Sequence, residues 1–227
     1  MKTLITTALL TAAYFQAQSQ FLKTTDNVTV REQKYISVDG SPYLFKEWKE
    51  GTVSNKSGTV TSDLMIRYDS YRDELQFLQN GKTLVISPRD APEFTFRDVD
   101  NAGGYVERFR FRNGFDIPGY TPLDYFNILH DGKSAKFLRK IKTNYIEETV
   151  KNYGTNEQVK KFVRKTEDFL IIGSESIALS KSRKEVVKNF GSYSDKVESF
   201  IKTKKLNIRN DDDLVEVLAY YDNLLKE

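Results

Sequence analysis

Leu75-Gln76-Phe77-Leu78-Gln79-Asn80-Gly81-Lys82-Thr83-Leu84-Val85-Ile86 sets two apolar runs on either side of Asn-Gly. Asn and Gly accept the positive φ angles of a two-residue hairpin turn, so this stretch predicts a pair of antiparallel strands. The same period of two extends in both directions. Upstream lie Val28-Thr29-Val30, Tyr35-Ile36-Ser37-Val38 before the turn residues Asp39-Gly40, and Pro42-Tyr43-Leu44-Phe45. Gly51-Thr52-Val53 and Thr59-Val60-Thr61 flank a polar tip at Asn55-Lys56-Ser57-Gly58, and Leu64 to Tyr68 reads as a further strand. Downstream are Glu93 to Phe96 and Tyr105 to Phe111. Short strands at hairpin spacing predict an antiparallel sheet, roll or small sandwich.

Beyond a Gly- and Pro-rich loop from Asn113 to Pro122, two hairpins are expected. One joins Tyr125–Leu129 to Ala135–Ile146 over His130-Asp131-Gly132-Lys133. The other joins Phe169–Ile172 to Ile177–Leu179 over Gly173 to Ser176. Thr149 to Lys165 stays ambiguous: Val159, Phe162 and Val163 fit a helix, but the neighbours are strands. After Lys181 the period becomes 3.6. Ser182 and Glu185 form a capping-box pattern ahead of Val186, Val187 and Phe190, with Gly191 as a C-cap. Ser194 is placed to cap a second helix that turns Val197, Phe200 and Ile201 inward. Asn210 with Asp211, Asp212 and Asp213 opens a third, where carboxylates suit the positive end of the helix dipole. Leu214, Leu218, Tyr221 and Leu225 then form one stripe.

The chain has 227 residues, 39% hydrophobic and 30% charged, a formal net charge of +3, one His and no Cys. Without Cys there are no disulfides, thiolate zinc sites, iron–sulfur clusters or thiol nucleophiles. A single His excludes any site built on two imidazoles, and near-neutral charge gives no general electrostatic case for a nucleic-acid partner. Lys2, the apolar Leu4–Phe15 stretch and Ala17-Gln18-Ser19 make a secretory signal pattern, with cleavage expected after Ser19. The mature product is expected to be soluble, in the periplasm or outside the cell. No later stretch is long and apolar enough to be a membrane span.

No catalytic, cofactor-binding or metal-ligating residue emerges. His130 adjoins Asp131, but no Gly-x-Ser-x-Gly elbow accompanies it, and both sit in an expected hairpin turn. His130 is therefore expected to be a surface residue whose replacement costs no more than about 0.5 kcal/mol. Ser199-Phe200-Ile201-Lys202 matches Ser-x-x-Lys without the companion motifs that chemistry needs. Asp211-Asp212-Asp213 lacks the Gly and closing Glu of a calcium loop. Asp73-Glu74 and Glu147-Glu148 are acidic pairs, but only separation in space decides carboxylate chemistry. Asn27 and Asn55 head N-glycosylation patterns, relevant only in a eukaryotic secretory pathway. Arg108-Phe109-Arg110-Phe111-Arg112 places guanidiniums on one face of a strand and rings on the other. Lys133, Lys136, Arg139, Lys140 and Lys142 make the next hairpin basic. A solvated strand face is expected. Should it bind anything, anionic lipid headgroups or polysaccharide fit better than nucleic acid, whose stacking aromatics would have to share the charged face.

Several short motifs carry a resemblance. They are Lys46-Glu47-Trp48 before Gly51-Thr52-Val53, Arg67-Tyr68-Asp69 with Asp73-Glu74-Leu75, and Leu129 with Gly132-Lys133. Lys181-Ser182-Arg183-Lys184, Phe190, Phe200-Ile201-Lys202, Lys205-Leu206, Asp213-Leu214 and Tyr220-Tyr221 continue it to the end. Through them the chain resembles a group of small, uncharacterised exported proteins of Gram-negative bacteria. The resemblance implies a shared fold and export, and brings no activity, cofactor or catalytic residue. The expected organisation is a signal peptide (1–19), an antiparallel β-rich body (20–181) and a small helical C-terminal part packed on it (182–227), an α+β fold. The expected role is a non-enzymatic binding or envelope-assembly module, with an envelope protein or an anionic glycan or lipid surface as partner. The alternative is a carboxylate-based hydrolase acting on cell-wall or polysaccharide material.

Overall fold

In the computed structural model the Asn80-Gly81 turn forms as its sequence requires, with φ of 50° and 72°. The structure describes residues 38–226 apart from 98, 102–104, 108, 153–154 and 180–181. The signal pattern, the strands expected at 28–30 and 35–37, Asn27, Arg108 and Lys181 lie outside the described residues. The strands are β1 (Lys49–Ser54), β2 (Val60–Asp69), β3 (Glu74–Gln79), β4 (Lys82–Ile86), β5 (Glu93–Phe96) and β6 (Val99–Asn101). They continue with β7 (Tyr105–Glu107), β8 (Arg110–Arg112), β9 (Phe126–Asp131), β10 (Ala135–Asn152), β11 (Thr155–Ile172) and β12 (Glu175–Ala178). Helices α1 (Arg183–Lys188), α2 (Ser194–Lys204) and α3 (Asp211–Leu224) come last, with a 3-10 turn at Gly191–Tyr193. The fold is α+β, a β-rich antiparallel body followed by a small helical C-terminal part.

Two compact units divide the chain, and the division passes inside β10 after Asn144 and inside β11 after Phe162. In the first unit the strand order is β5-β1-β2-β3-β4. Alternation turns Val53, Ile66, Tyr68, Leu75, Phe77, Phe94 and Phe96 inward, each essentially fully buried. The rings meet edge-on or tilted, Tyr68 with Phe94 at 5.6 Å and Phe94 with Phe96 at 5.8 Å. The stretch whose sequence fits both helix and strand is strand. Val159 lies within β11, and Phe162 packs against Tyr71 and Tyr145.

In the second unit the order is β12-β11-β10-β9-β8. Both faces of this sheet are covered. On one, Ala135, Phe137, Leu170 and Ile172 meet the helices through Val186, Phe190, Val197, Ile201, Leu214, Val217, Leu218 and Tyr221. On the other, Leu138, Phe126, Ile128 and Phe169 are roofed by Phe115, Ile117 and Tyr120 of the Gly- and Pro-rich loop.

Local expectations change in six places. Pro42–Phe45 forms no strand, only an isolated bridge from Tyr43 to Asp69, and the first helix ends at the C-cap Asn189 rather than at Gly191, which opens the 3-10 turn. The strand expected from Tyr105 to Phe111 is two, β7 pairing with β6 and β8 with β9. Ser182 precedes α1, but its hydroxyl makes no cap bond; its carbonyl receives the Glu185 and Val186 N–H groups instead. Ser194 lies inside α2, and its hydroxyl donates to the Val187 carbonyl, tying α2 back to α1. Leu225 lies past α3 and is 40% exposed. Asn210 does cap α3, accepting the Asp213 N–H. Among the described residues no helix is long and apolar enough to cross a membrane.

Leu218 is fully buried at the centre of the helical layer. Leu218→Ala is expected to cost about 2–5 kcal/mol, and Leu218→Asp more, because it buries an unpaired carboxylate. Denaturant unfolding followed by tyrosine fluorescence should show the loss across the second unit, not only in the last helical turns.

Candidate functional site

The β9–β10 register shifts between Phe137 and Leu138: Phe137 faces His130, while Leu138 faces Ile128. One residue, Leu129, is extra on β9, which is a β-bulge. The bulge re-aims the two side chains after it. His130 shares the helix-covered face with Phe137, and Asp131 shares the opposite face with Lys136. His130 is thus the penultimate residue of a strand rather than part of a solvent turn, and the turn proper is Gly132 to Ser134. The expectation of a free surface His fails on this bulge.

Across from His130 stands Asp222 of α3, 7% exposed. Its Oδ2 accepts from His130 Nε2 at 2.8 Å, and its Oδ1 accepts the backbone N–H groups of Ser134 (2.7 Å) and Ala135 (3.2 Å). One buried carboxylate therefore holds three donors of one hairpin. Gly132 passes so close that a Cβ there would collide with the Asp222 carboxylate. The Gly in the Gly132-Lys133 motif is required by this approach.

The N-terminal end of α3 is fixed in the same way. Arg139 of β10 forks onto two carboxylates, Asp168 of β11 at 2.7 and 2.9 Å and Asp211 at 2.7 and 2.9 Å. Those two acids hold the guanidinium above its ordinary range despite burial. Lys140 is also inside the protein, 3% exposed. Its ammonium meets Asp124 (3.0 Å), the Tyr125 carbonyl (3.2 Å) and the ring faces of Phe126 and Tyr120. Arg139 and Lys140 therefore do not belong to a solvated basic face.

What remains outside is a tight cationic group on the face away from the helices. Arg112 binds Asp131 through both nitrogens at 2.8 and 3.0 Å, Lys136 at 2.7 Å, and Arg110 stands at 3.6 Å. Burial pushes the Asp131 carboxyl up, but the hydrogen bonds and charges of Arg112 and Lys136 outweigh it and hold it at about 2. Three cations thus converge on one carboxylate. Phe111 between the two Arg is fully buried, as strand alternation requires.

In the first unit a second polar group gathers the other motif residues. Arg67 lies between Tyr43 (3.7 Å) and Trp48 (4.3 Å) and donates to Gln76 at 3.0 Å. The β2–β3 register sets Asp69 directly opposite Glu74. Burial raises both carboxyls, while Asp69 accepts the Tyr71 and Arg72 N–H groups. Asp73, beside Glu74, accepts instead from the Tyr68 hydroxyl. Among the described residues no group of three or more His, Asp and Glu is placed to hold a metal ion. Comparisons with protein-family models, curated proteins and solved structures return no match.

Asp222→Ala leaves three donors without their acceptor and is expected to cost about 3–5 kcal/mol, as for a broken buried pair. His130→Ala removes one of the three and should cost about 1–3 kcal/mol. Chemical denaturation distinguishes these from a surface effect. Asp131 gives a pH signature. Its folded value lies below the ordinary 3.8, so its stabilisation is present above about pH 4 and is lost as pH falls towards 2. The stability gap between wild type and Asp131→Asn should close across that window.

Proposed function

We propose that the protein is an exported, non-enzymatic module that binds an anionic envelope component, a glycan or a lipid surface, through Arg110, Arg112 and Lys136. It belongs in this reading with the small exported proteins it resembles, and acts in the periplasm or outside the cell after cleavage near Ser19. The single observation that carries the proposal is the convergence of three partly exposed cations on one carboxylate. Asp131 spaces the cations and fixes their geometry on a partly exposed surface. Arg presents a planar fork suited to carboxylate, sulfate or phosphate groups. The protein's single imidazole supports the same reading, since its Nε2 is committed to Asp222.

One observation favours a second reading, a carboxylate hydrolase. Directly opposed residues of an antiparallel pair have Cβ atoms about 4.5–5.5 Å apart, so Asp69 and Glu74 are neighbouring carboxyl groups on one face of β2–β3, the residue types that a retaining glycosidase pairs. Arg67, Trp48 and Tyr43 lie on neighbouring strand and loop positions. Asp69, however, is already engaged by two backbone donors of its own turn.

Binding to an immobilised sulfated polysaccharide at low ionic strength tests the first reading. Arg110→Gln/Arg112→Gln should weaken it at least tenfold, and wild-type binding should fall steeply between about 50 and 300 mM salt, the range over which screening shortens to about 10 Å and below. Equal retention of wild type and variant would defeat it. Release of reducing ends from a polysaccharide, abolished by Glu74→Gln, would establish the second. An N-terminus at Gln20 in the mature protein, read by mass spectrometry, tests export.

A further inference from the structure

We propose a second anion site in the helical C-terminal part, a phosphate-binding depression formed by Ser182, Arg183 and Lys184 with Asn207 and Arg209. It stands independently of the cationic group on β8–β10. The depression measures about 520 Å³ and is lined by these residues with Leu206 and Ile208. Three of the seven lining side chains are cationic and none is acidic. The site lies where the segment entering α1 meets the connection between α2 and α3.

Two features point to a ligand. The first is Arg183. One terminal nitrogen reaches the Glu198 carbonyl at a long 3.4 Å, and its buried Nε has no hydrogen-bond partner among the described residues. A guanidinium N–H without an acceptor costs free energy, and the side chain as a whole is half-buried at the wall of the depression, so this cation is incompletely satisfied there. The second is the charge of the wall, which carries three cations and no acid, while the neighbouring acids each hold a partner of their own. Glu198 pairs with Lys202 at 2.9 Å, and Asp213 accepts the Asn207 N–H at 2.7 Å. Ser182, Lys184 and Arg209 are exposed, so the opening faces solvent.

The chemistry fits a tetrahedral oxyanion. Arg183 offers its terminal nitrogens, Arg209 a second fork, Lys184 a point charge, and the Asn207 side-chain amide a neutral donor. The Ser182-Arg183-Lys184 motif thereby gains a role that helix capping does not supply, since the Ser182 hydroxyl makes no cap bond. The phosphate could be free or the headgroup of an anionic lipid, and the chemistry at the depression is the same.

The test titrates the full chain with inorganic phosphate at constant ionic strength, chloride replacing phosphate in the reference, while Arg Nε–H and backbone amide signals are followed by NMR. Saturable shifts should centre on Arg183 Nε–H and residues 207–209. Lys184→Gln/Arg209→Gln alters two exposed side chains and should weaken binding at least tenfold without shifting the melting temperature. Arg110→Gln/Arg112→Gln should leave phosphate binding unchanged, which separates this site from the one proposed above. Vesicles of phosphatidylcholine with and without phosphatidic acid form the second arm. Cosedimentation that needs phosphatidic acid and is competed by phosphate names the headgroup as source; phosphate binding without cosedimentation names the free anion. No saturable response to phosphate, or equal affinity in wild type and Lys184→Gln/Arg209→Gln, overturns the proposal.

Discussion

Asp222 is one carboxylate with three donors, and the second unit is organised around it. Two of the donors are consecutive backbone N–H groups at the start of β10, and the third is the imidazole that the Leu129 bulge turns towards the helices. A hairpin end leaves backbone groups that must find partners. Here a helix side chain supplies the partner, so the hairpin and α3 complete each other. Gly132 carries the steric condition: only a residue without Cβ allows the carboxylate to come this close.

Eleven residues separate Asp211 from Asp222, close to three helical turns and about 16 Å at 1.5 Å per residue. Asp211, Leu214, Leu218 and Asp222 therefore share one face of α3. Its middle is apolar and its ends are acids, one on the Arg139 fork and one on the hairpin. Burial supplies most of the driving force, but burial alone tolerates sliding. Charged, directional contacts at both ends fix the register of helix on sheet. The same bulge sends the next residue, Asp131, to the opposite face, where it gathers Arg110, Arg112 and Lys136. One extra residue in β9 thus determines both how the helix is held and where these three cations gather.

The strands and their hairpins were legible because alternation and Asn80-Gly81 are local signals, as was the cap at Asn210. The buried Leu214 and Leu218 were legible as a helical stripe. Leu225 was misplaced because apolar periodicity ignores that an acid can occupy a buried position when donors await it. Asp222 interrupts the apolar pattern four residues beyond Leu218, and that interruption was the available signal. The role of His130 was not legible. It depends on a bulge and on a partner 92 positions away, and neither leaves a mark in the sequence around the turn. Arg139 and Lys140 read as surface cations for the same reason: their acids come from distant segments. The opposition of Asp69 and Glu74 needed the β2–β3 register, and the depression at Arg183 needed two connections brought together by packing.

The β9–β10 hairpin and α3 form one cooperative element through Asp222. Native-state hydrogen exchange at the Ser134 and Ala135 amides tests this most directly, because those N–H groups are bonded to the helix side chain rather than to a neighbouring strand. If the coupling holds, both amides exchange only when α3 opens. Their opening free energy should match that of amides in the Leu214–Tyr221 core, and Asp222→Ala should lower both together. Exchange at Ser134 and Ala135 orders of magnitude faster than in α3, and insensitive to Asp222→Ala, would contradict it.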